Sequence, residues 1–330
     1  MKKKYSFLLL ALFFNFFGFN KITFSQEQKL TKIRVAYHPN MGGASAIITG
    51  IKQGYFKEYG LDIELVKFTS GPSEIAAMIA GDIQIGYIGF GAHTLAVEGK
   101  VDIIATDGIA VPEGIRVRKD SGIKTVNDLK GKSIATQLGT SGEATITQVI
   151  AGSGLEKKDI KILNMEIAVA VAAFMANKID AISVWPPYTI EIDKRMKDDI
   201  IVLKGNNVEE QVDSTASWIV TPKYLKNNRS VVINFVKGLY KAMDYRNENI
   251  DEVIGYVAEL VGIDKETVML EKYSSNWMYS SKAKQFLEDG TFKNIYSRHQ
   301  QYFVETKRIN STPGPVEEYI NLDIYKEALQ

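Results

Sequence analysis

Between residues 32 and 107 the chain alternates short strand patterns with helix patterns, and small-residue loops separate them. "KIRVAYHP" (32–39) reads as a buried strand stopped by Pro39, and "AIITGIKQGYF" after it is an amphipathic helix ending near Gly54. "LDIELVKF" (61–68) alternates apolar and polar residues as a strand does. "SEIAAMIAG" is a helix, "IQIGYIGF" (83–90) a third strand, "GAHTLAVEG" a helix and "VDIIATD" a fourth strand. The order β-α-β-α-β-α-β leaves few folds open, because strands joined through helices pair in parallel and need cover on both faces. The expectation is an α/β fold with a parallel sheet.

The pattern then restarts. "GIRVRKDS" (114–121) is a strand, "TVNDLKGKSIATQLG" a short helix plus a strand, and "TSGEATITQVIAGSG" a helix. "IKILNM", "AVAVAAFMANK" and "IDAISVW" follow as strand, helix and strand. After "DSTASWIVTPKYL" (213–225) the chain turns mostly helical. No Ser/Pro linker divides these units. Two lobes with a ligand cleft between them are therefore expected, joined by short crossovers at 108–113 and 213–218. Residues 30–110 plus 216–330 would form lobe 1 and residues 111–215 lobe 2, with the C-terminal helices packed back on lobe 1.

The N-terminus has its own logic. Lys2, Lys3 and Lys4 precede an apolar run from Phe7 to Phe19, and Thr23-Phe24-Ser25 puts small residues at −3 and −1 of a cut before Gln26. That is secretory signal-peptide architecture over residues 1–25. The run is short for a membrane span of roughly 20 residues and is interrupted by Asn15 and Gly18. The chain has no cysteine, which excludes a disulfide, a thiolate metal site, a cysteine nucleophile and a lipidated N-terminus. An exported, unlipidated protein of this kind is expected in a periplasm. Four of the 40 Lys and Arg residues lie in the leader, so the remainder, with 39 acids, is slightly acidic. It carries no basic stripe for nucleic acid.

In open α/β sheets, ligands bind beyond the carboxyl ends of the strands, where helix N-termini point. Four loops qualify: "PNMGGAS" (39–45), "TSGP" (69–72), "GFGAH" (89–93) and "GTSGE" (139–143). Their backbone N–H groups can serve an anion or a polar edge, or the loops can be plain turns and caps. "WPPY" (185–188) adds Trp185 and Tyr188 on rigid prolines, suited to stacking on a ligand or to core packing. Trp218 is open to either role, and Trp277 reads as core. His38, His93 and His299 show no metal-type spacing, and His38 and His93 border these loops. No nucleophile elbow, phosphate-binding P-loop or His-Glu-x-x-His occurs, so no catalytic residue and no cofactor are expected. Thr140-Ser141-Gly142-Glu143 fits S/T-x-x-E, a capping box. Glu143 either closes that box or faces the cleft toward a cationic or N–H-rich ligand group.

"GIKQGYFKEYGLDIELVKFTSG", "IAAMIAGDIQIGYIGFG", "GIKTVNDLKGKSIATQLGTSG", "AVAAFMANKIDAISVWPPY" and "YFVETKRINSTPGPVEEYIN" together resemble ABC-importer substrate-binding proteins. The branch they resemble binds aliphatic sulfonates, taurine, nitrate and thiamine-precursor pyrimidines. The resemblance covers about residues 32–325. It implies a two-lobed type II periplasmic-binding-protein fold and a monomer that serves a membrane permease and its ATPase. It places ligand contacts on Gly43 and Ser45, Ser70 and Gly71, Phe90 and Gly91, Thr140, Ser141 and Gly142, and Trp185 and Tyr188, to which the residues themselves add Glu143 as a candidate. The chain departs from the family pattern at Pro186, where many members carry Asp, and at Glu143. A small organic solute of the sulfonate, taurine or nitrate type is expected, with a heteroaromatic pyrimidine as the alternative. A ligand-sensing receptor subunit or an enzyme on the same fold are the alternatives of another class.

Overall fold

The computed structural model describes residues 29–205, 212–309 and 312–330. The expected signal peptide and its cut at Ser25/Gln26 lie outside those residues. Eleven strands form two sheets among the described residues. The first holds β1 (Thr31–Tyr37), β2 (Leu61–Lys67), β3 (Ile85–Ile88), β4 (Asp102–Ala110), β10 (Ser214–Val220) and β11 (Ser275–Trp277), in the order β11-β4-β10-β3-β1-β2. The second holds β5 (Ile115–Arg118), β6 (Ser133–Thr136), β7 (Lys161–Asn164), β8 (Ala181–Ile182) and β9 (Ile200–Leu203), in the order β7-β6-β8-β5-β9.

The ladders correct the expectation of wholly parallel sheets. β1 pairs in parallel with β2, from Thr31 opposite Leu61 to Tyr37 opposite Lys67, and with β3 at Val35 and Ile85. But β10 lies antiparallel between β3 and β4, and β11 is antiparallel to β4. In the second sheet β5 runs against β8 and β9. The reason is connectivity. β4 leaves the first sheet at the carboxyl ends of the parallel strands, and β5 must enter the second sheet from that same side. β9 and β10 make the return trip, so each re-entering strand opposes its neighbours.

The joins also differ from the expected 108–113 and 213–218. Residues 108–110 and 214–218 belong to the ladders of β4 and β10. The sheets are connected by residues 111–114 and by 204–213, of which 206–211 lie outside the described residues.

Local chemistry explains the elements nearest the cleft. Asn40 caps the helix Met41–Lys52, its Oδ1 accepting from Gly43 N at 2.8 Å. Pro72 stands in the first turn of the helix Gly71–Ala80, where its missing N–H costs nothing, and Gly81 ends that helix at φ 93°. The helix Arg229–Glu248 buries Phe235, Leu239 and Met243 in the core of the first sheet, where Phe56 stacks on Phe235 at 5.2 Å. The C-terminal helix Leu322–Ala328 joins that core through Ile324 and Tyr325. The second sheet has apolar cover on both faces. Ile115, Leu129 and Ile146 pack in one cluster, and Phe174, Ile182 and Val184 in the other.

The first core also encloses an ion pair. Arg246 and Asp107 are fully buried, with Nη1 3.0 Å from Oδ2. Ser45 Oγ accepts a further Nη1 bond at 2.9 Å, Met278 O accepts from Nη2 at 3.1 Å, and Trp218 Nε1 donates to Asp107 Oδ1 at 3.2 Å. Replacing Arg246 with Met strands a buried carboxylate. Urea unfolding of Arg246→Met should therefore show a loss of about 3–5 kcal/mol, and adding Asp107→Leu should restore part of it. A single variant as stable as the parent would mean that the guanidinium is dispensable to this core.

Candidate functional site

The carboxyl ends of β1, β3, β4, β6 and β8 face one another across a cavity of about 130 Å³. That volume suits a small solute. β1 delivers His38 and Asn40, and β3 delivers Gly89 and Phe90. β4 supplies Ala110 to Glu113, and the loops after β6 and β8 supply Thr140, Ser141, Trp185 and Pro186. The antiparallel strands β10 and β11 start at the same rim and contribute Ser214, Thr215, Ala216, Ser275 and Trp277.

Two helix N-termini at this cavity have no side-chain cap from their N-cap residue. At the helix Gly71–Ala80 the Ser70 hydroxyl meets Ser73 Oγ at 2.8 Å instead of a backbone N–H. At the helix Ser141–Ile150 the Thr140 hydroxyl donates to Gln137 O at 2.5 Å. Uncapped first turns leave N–H donors and a partial positive charge toward the cavity. The third N-terminus is already served. Asn40 caps the helix Met41–Lys52, and the Glu271 carboxylate accepts from Met41 N at 2.8 Å.

Of the residues expected to touch a ligand, Ser70, Gly71, Phe90, Thr140, Ser141 and Trp185 line the cavity. Gly43, Ser45, Gly91, Gly142, Glu143 and Tyr188 are not among the residues that line it. A Cβ on Gly43 would come within 2.6 Å of the His38 backbone. Ser45 is fully buried and accepts from Arg246. Gly91 lets the two lobes meet, since a Cβ there would sit 2.0 Å from the Thr140 carbonyl. On Gly142 a Cβ would lie 2.3 Å from Thr136 Oγ1. Tyr188 packs edge-on against Trp185 at 6.1 Å and belongs to the second sheet's core.

Glu143 is a cap with two cations. Its Oε2 accepts from Gly139 N at 2.9 Å, one residue before the N-cap, and the Thr140 hydroxyl turns to Gln137 O, so the expected capping box does not form. Lys157 Nζ lies 3.0 Å from Oε1 and Arg308 Nη2 3.4 Å from Oε2. Burial pushes this carboxyl upward, but Arg308, the Gly139 N–H and Lys157 outweigh it and hold Glu143 below its ordinary value.

Several lining residues carried no clear signal in the sequence. His38 Nε2 lies 2.9 Å from Oε2 of the buried Glu74, off the hydrogen-bond direction, and Tyr87 packs edge-on against the His38 ring at 5.5 Å. Glu113 is paired with Arg116 at 2.7 Å. Glu271 is 1% exposed, and burial lifts its carboxyl to about 7 against the Met41 hydrogen bond. The histidines divide. His38 reaches the cavity, whereas His93 and His299 stack at 5.7 Å in the core beside Phe90. Burial pushes His93 well below its ordinary value and His299 down to about 3. Trp218 is core, and Trp277, expected there too, lines the cavity.

Contacts across the cleft hold its walls together. Asn40 Nδ2 donates to Pro186 O at 3.5 Å, and Lys194 Nζ to Thr267 Oγ1 at 3.0 Å. On the other flank, Tyr302 Oη donates to Ala144 O at 3.1 Å and Arg308 Nη2 to Glu143 Oε2 at 3.4 Å.

Two outcomes test these assignments. Glu143→Gln should cost about 1–3 kcal/mol at pH 7, because it leaves the buried Arg308 without its carboxylate. A depressed carboxyl stabilises above its unfolded value and loses that effect as pH falls through its folded value, so thermal unfolding should show the gap closing below pH 4.5. Glu271 has the opposite sign. Its raised value makes its contribution full below pH 4.5 and lost as pH rises through about 7. Relative to Glu271→Gln, the parent should lose about 3 kcal/mol between pH 4.5 and 8, read by denaturant unfolding at both values. An unchanged difference would mean that Glu271 is not desolvated.

The chain is similar along most of its length to proteins of known kind. A protein of Brucella abortus (strain 2308) named for binding is 25% identical over 288 residues, 87% of this chain and 90% of that one. The taurine-binding periplasmic protein of Escherichia coli (strain K12) is 24% identical over 252 residues, 73% of this chain and 77% of that one. The solved alkanesulfonate-binding protein of Xanthomonas axonopodis pv. citri, bound to MOPS, superposes with a TM-score of 0.67 at 20% identity. The match covers 88% of this chain and 97% of that one. The fold is therefore the two-lobed periplasmic-binding fold. Residues 43–253, more than half of the chain, match the family described as NMT1/THI5 like, and the chain belongs to that family.

Proposed function

We propose that this protein is the solute-binding component of an ABC importer. It works in the periplasm, captures a small organic solute of the sulfonate type between its lobes, and delivers it to the membrane permease and its ATPase. The carrying observation is the pair of uncapped helix N-termini, at Ser70–Gly71 and Thr140–Ser141, which open into one cavity from opposite lobes. Such N–H groups can hold acidic oxygens without a cationic side chain. A solute that touches both ends favours the closed arrangement by its differential affinity alone, so the work is binding and closure. The names of the relatives, taurine-binding and alkanesulfonate-binding, support the same class.

A second solute class is favoured by one feature. Phe90, Trp185 and Trp277 all line the cavity, and they offer flat apolar faces to a heteroaromatic ring such as a thiamine-precursor pyrimidine.

A thermal-unfolding series with taurine, ethanesulfonate, MOPS, nitrate and an aminopyrimidine tests both. A ligand present at a hundred times its Kd should stabilise the protein by about 2.7 kcal/mol and raise the melting temperature. Stabilisation by an organic sulfonate supports the first class, and stabilisation by the pyrimidine alone supports the second. No response to any of the five would remove the proposed solute classes.

A further inference from the structure

One carboxylate oxygen in the cleft has no partner. Glu271 closes the helix Lys265–Glu271 and lines the cavity, although the residue is only 1% exposed. Its Oε2 accepts from Met41 N, and that bond accounts for one oxygen. Its Oε1 is buried without a hydrogen-bond partner, and among the described residues Glu271 forms no ion pair. A buried acceptor left empty is unfavourable, and more so when charged. A plain capping role would be met by Asn or Ser, and it gives no account of the second oxygen.

The surroundings sharpen the point. The described lining contains no Lys and no Arg. His38, the lining residue able to carry positive charge, already faces Glu74 at 2.9 Å. The other lining acid, Glu113, is matched by Arg116 at 2.7 Å. Glu271 is thus the lining's uncompensated carboxylate; Thr215 Oγ1 and Gln148 Nε2, also unpartnered in the lining, are neutral. Trp277 beside it already has the Arg246 guanidinium 4.9 Å from its ring, on the core side. Once ionised, Glu271 would repel an oxyanion placed against it, whereas a nitrogen bearing hydrogens would complete the site.

We infer that Glu271 is the specificity-determining residue of this cleft, and that the solute presents nitrogen-borne hydrogens, as an ammonium or a ring amino group, to its Oε1. The inference rests on the solute-binding role proposed above and adds to it the chemistry of one end of the solute. A nitrogen at Glu271 and an acidic or polar group at Thr140–Ser141 would orient the solute across the lobes. Bare anions such as nitrate lack the first of these groups.

Matched pairs isolate the nitrogen. Taurine and ethanesulfonate differ by an amino group, as do 4-amino-2-methylpyrimidine and 2-methylpyrimidine. Titration calorimetry on the purified protein at about pH 8, where the Glu271 carboxyl is ionised, should show one amino member binding at least tenfold more tightly than its counterpart. Glu271→Gln, which keeps an acceptor for Met41 N, should reduce that gap to less than threefold while circular dichroism shows an unchanged fold. Glu271→Asp retains the charge and should retain the preference at lower affinity; it carries the test if Glu271→Gln fails to fold. Equal affinities within both pairs, or a gap that survives in Glu271→Gln, would overturn the role of Glu271 and leave solute binding intact. If none of the four compounds binds, the solute class and the role of Glu271 fall together.

Discussion

The buried Asp107–Arg246 pair is the interaction on which the cleft's geometry depends. It draws five segments to one point: β4 through Asp107, the helix Met41–Lys52 through Ser45, β10 through Trp218, the helix Arg229–Glu248 through Arg246, and the chain after β11 through Met278. Arg246 also covers one face of Trp277. Burial raises the Asp107 carboxyl, and the guanidinium and the Trp218 N–H work against that rise. Two unpaired charges at this depth would be very costly, so the core is satisfied only when all five segments arrive together. Those segments carry much of one wall of the cavity. A polar cluster inside the first lobe thereby sets where the rim residues stand.

The α-helix N-termini at Met41, Gly71 and Ser141 reach the cleft, and they have different fates. The one at Met41 is filled from within by Asn40 and Glu271, whereas those at Gly71 and Ser141 keep donors for a guest. The cavity is therefore polarised, with donors along one part of its wall and an acceptor at Glu271. Around it the lobes touch through a few polar contacts, such as Asn40 to Pro186 and Lys194 to Thr267. Contacts of this kind exchange readily with water, which is what a closing cleft requires.

Much of this was legible in the sequence. The strand and helix periods placed nearly every element of the parallel parts, because each period is a local property of a few consecutive residues. The small-residue loops located Ser70, Gly71, Phe90, Thr140 and Ser141 on the rim, since strand ends and helix starts follow from the same periods. The antiparallel insertion of β10 was not legible. It arises from the direction in which the chain returns between lobes, and no local pattern encodes that direction. Nor could the sequence say which loop donors stay free. Gly43 and Ser45 look like their counterparts at Ser70 and Gly71, yet they are consumed by His38 and Arg246 packing.

The sequence by itself determined an α/β chain with two units, loops suited to ligands, and a glutamate at position 143 in capping register. Only the tertiary structure decided what each charge meets. Arg308 reaches Glu143 across 165 residues, and Glu271 reaches Met41 across 230. Such partners are chosen by the packing of whole lobes, and burial then fixes the energetic weight of each charge. A residue's type and its near neighbours carry no record of either.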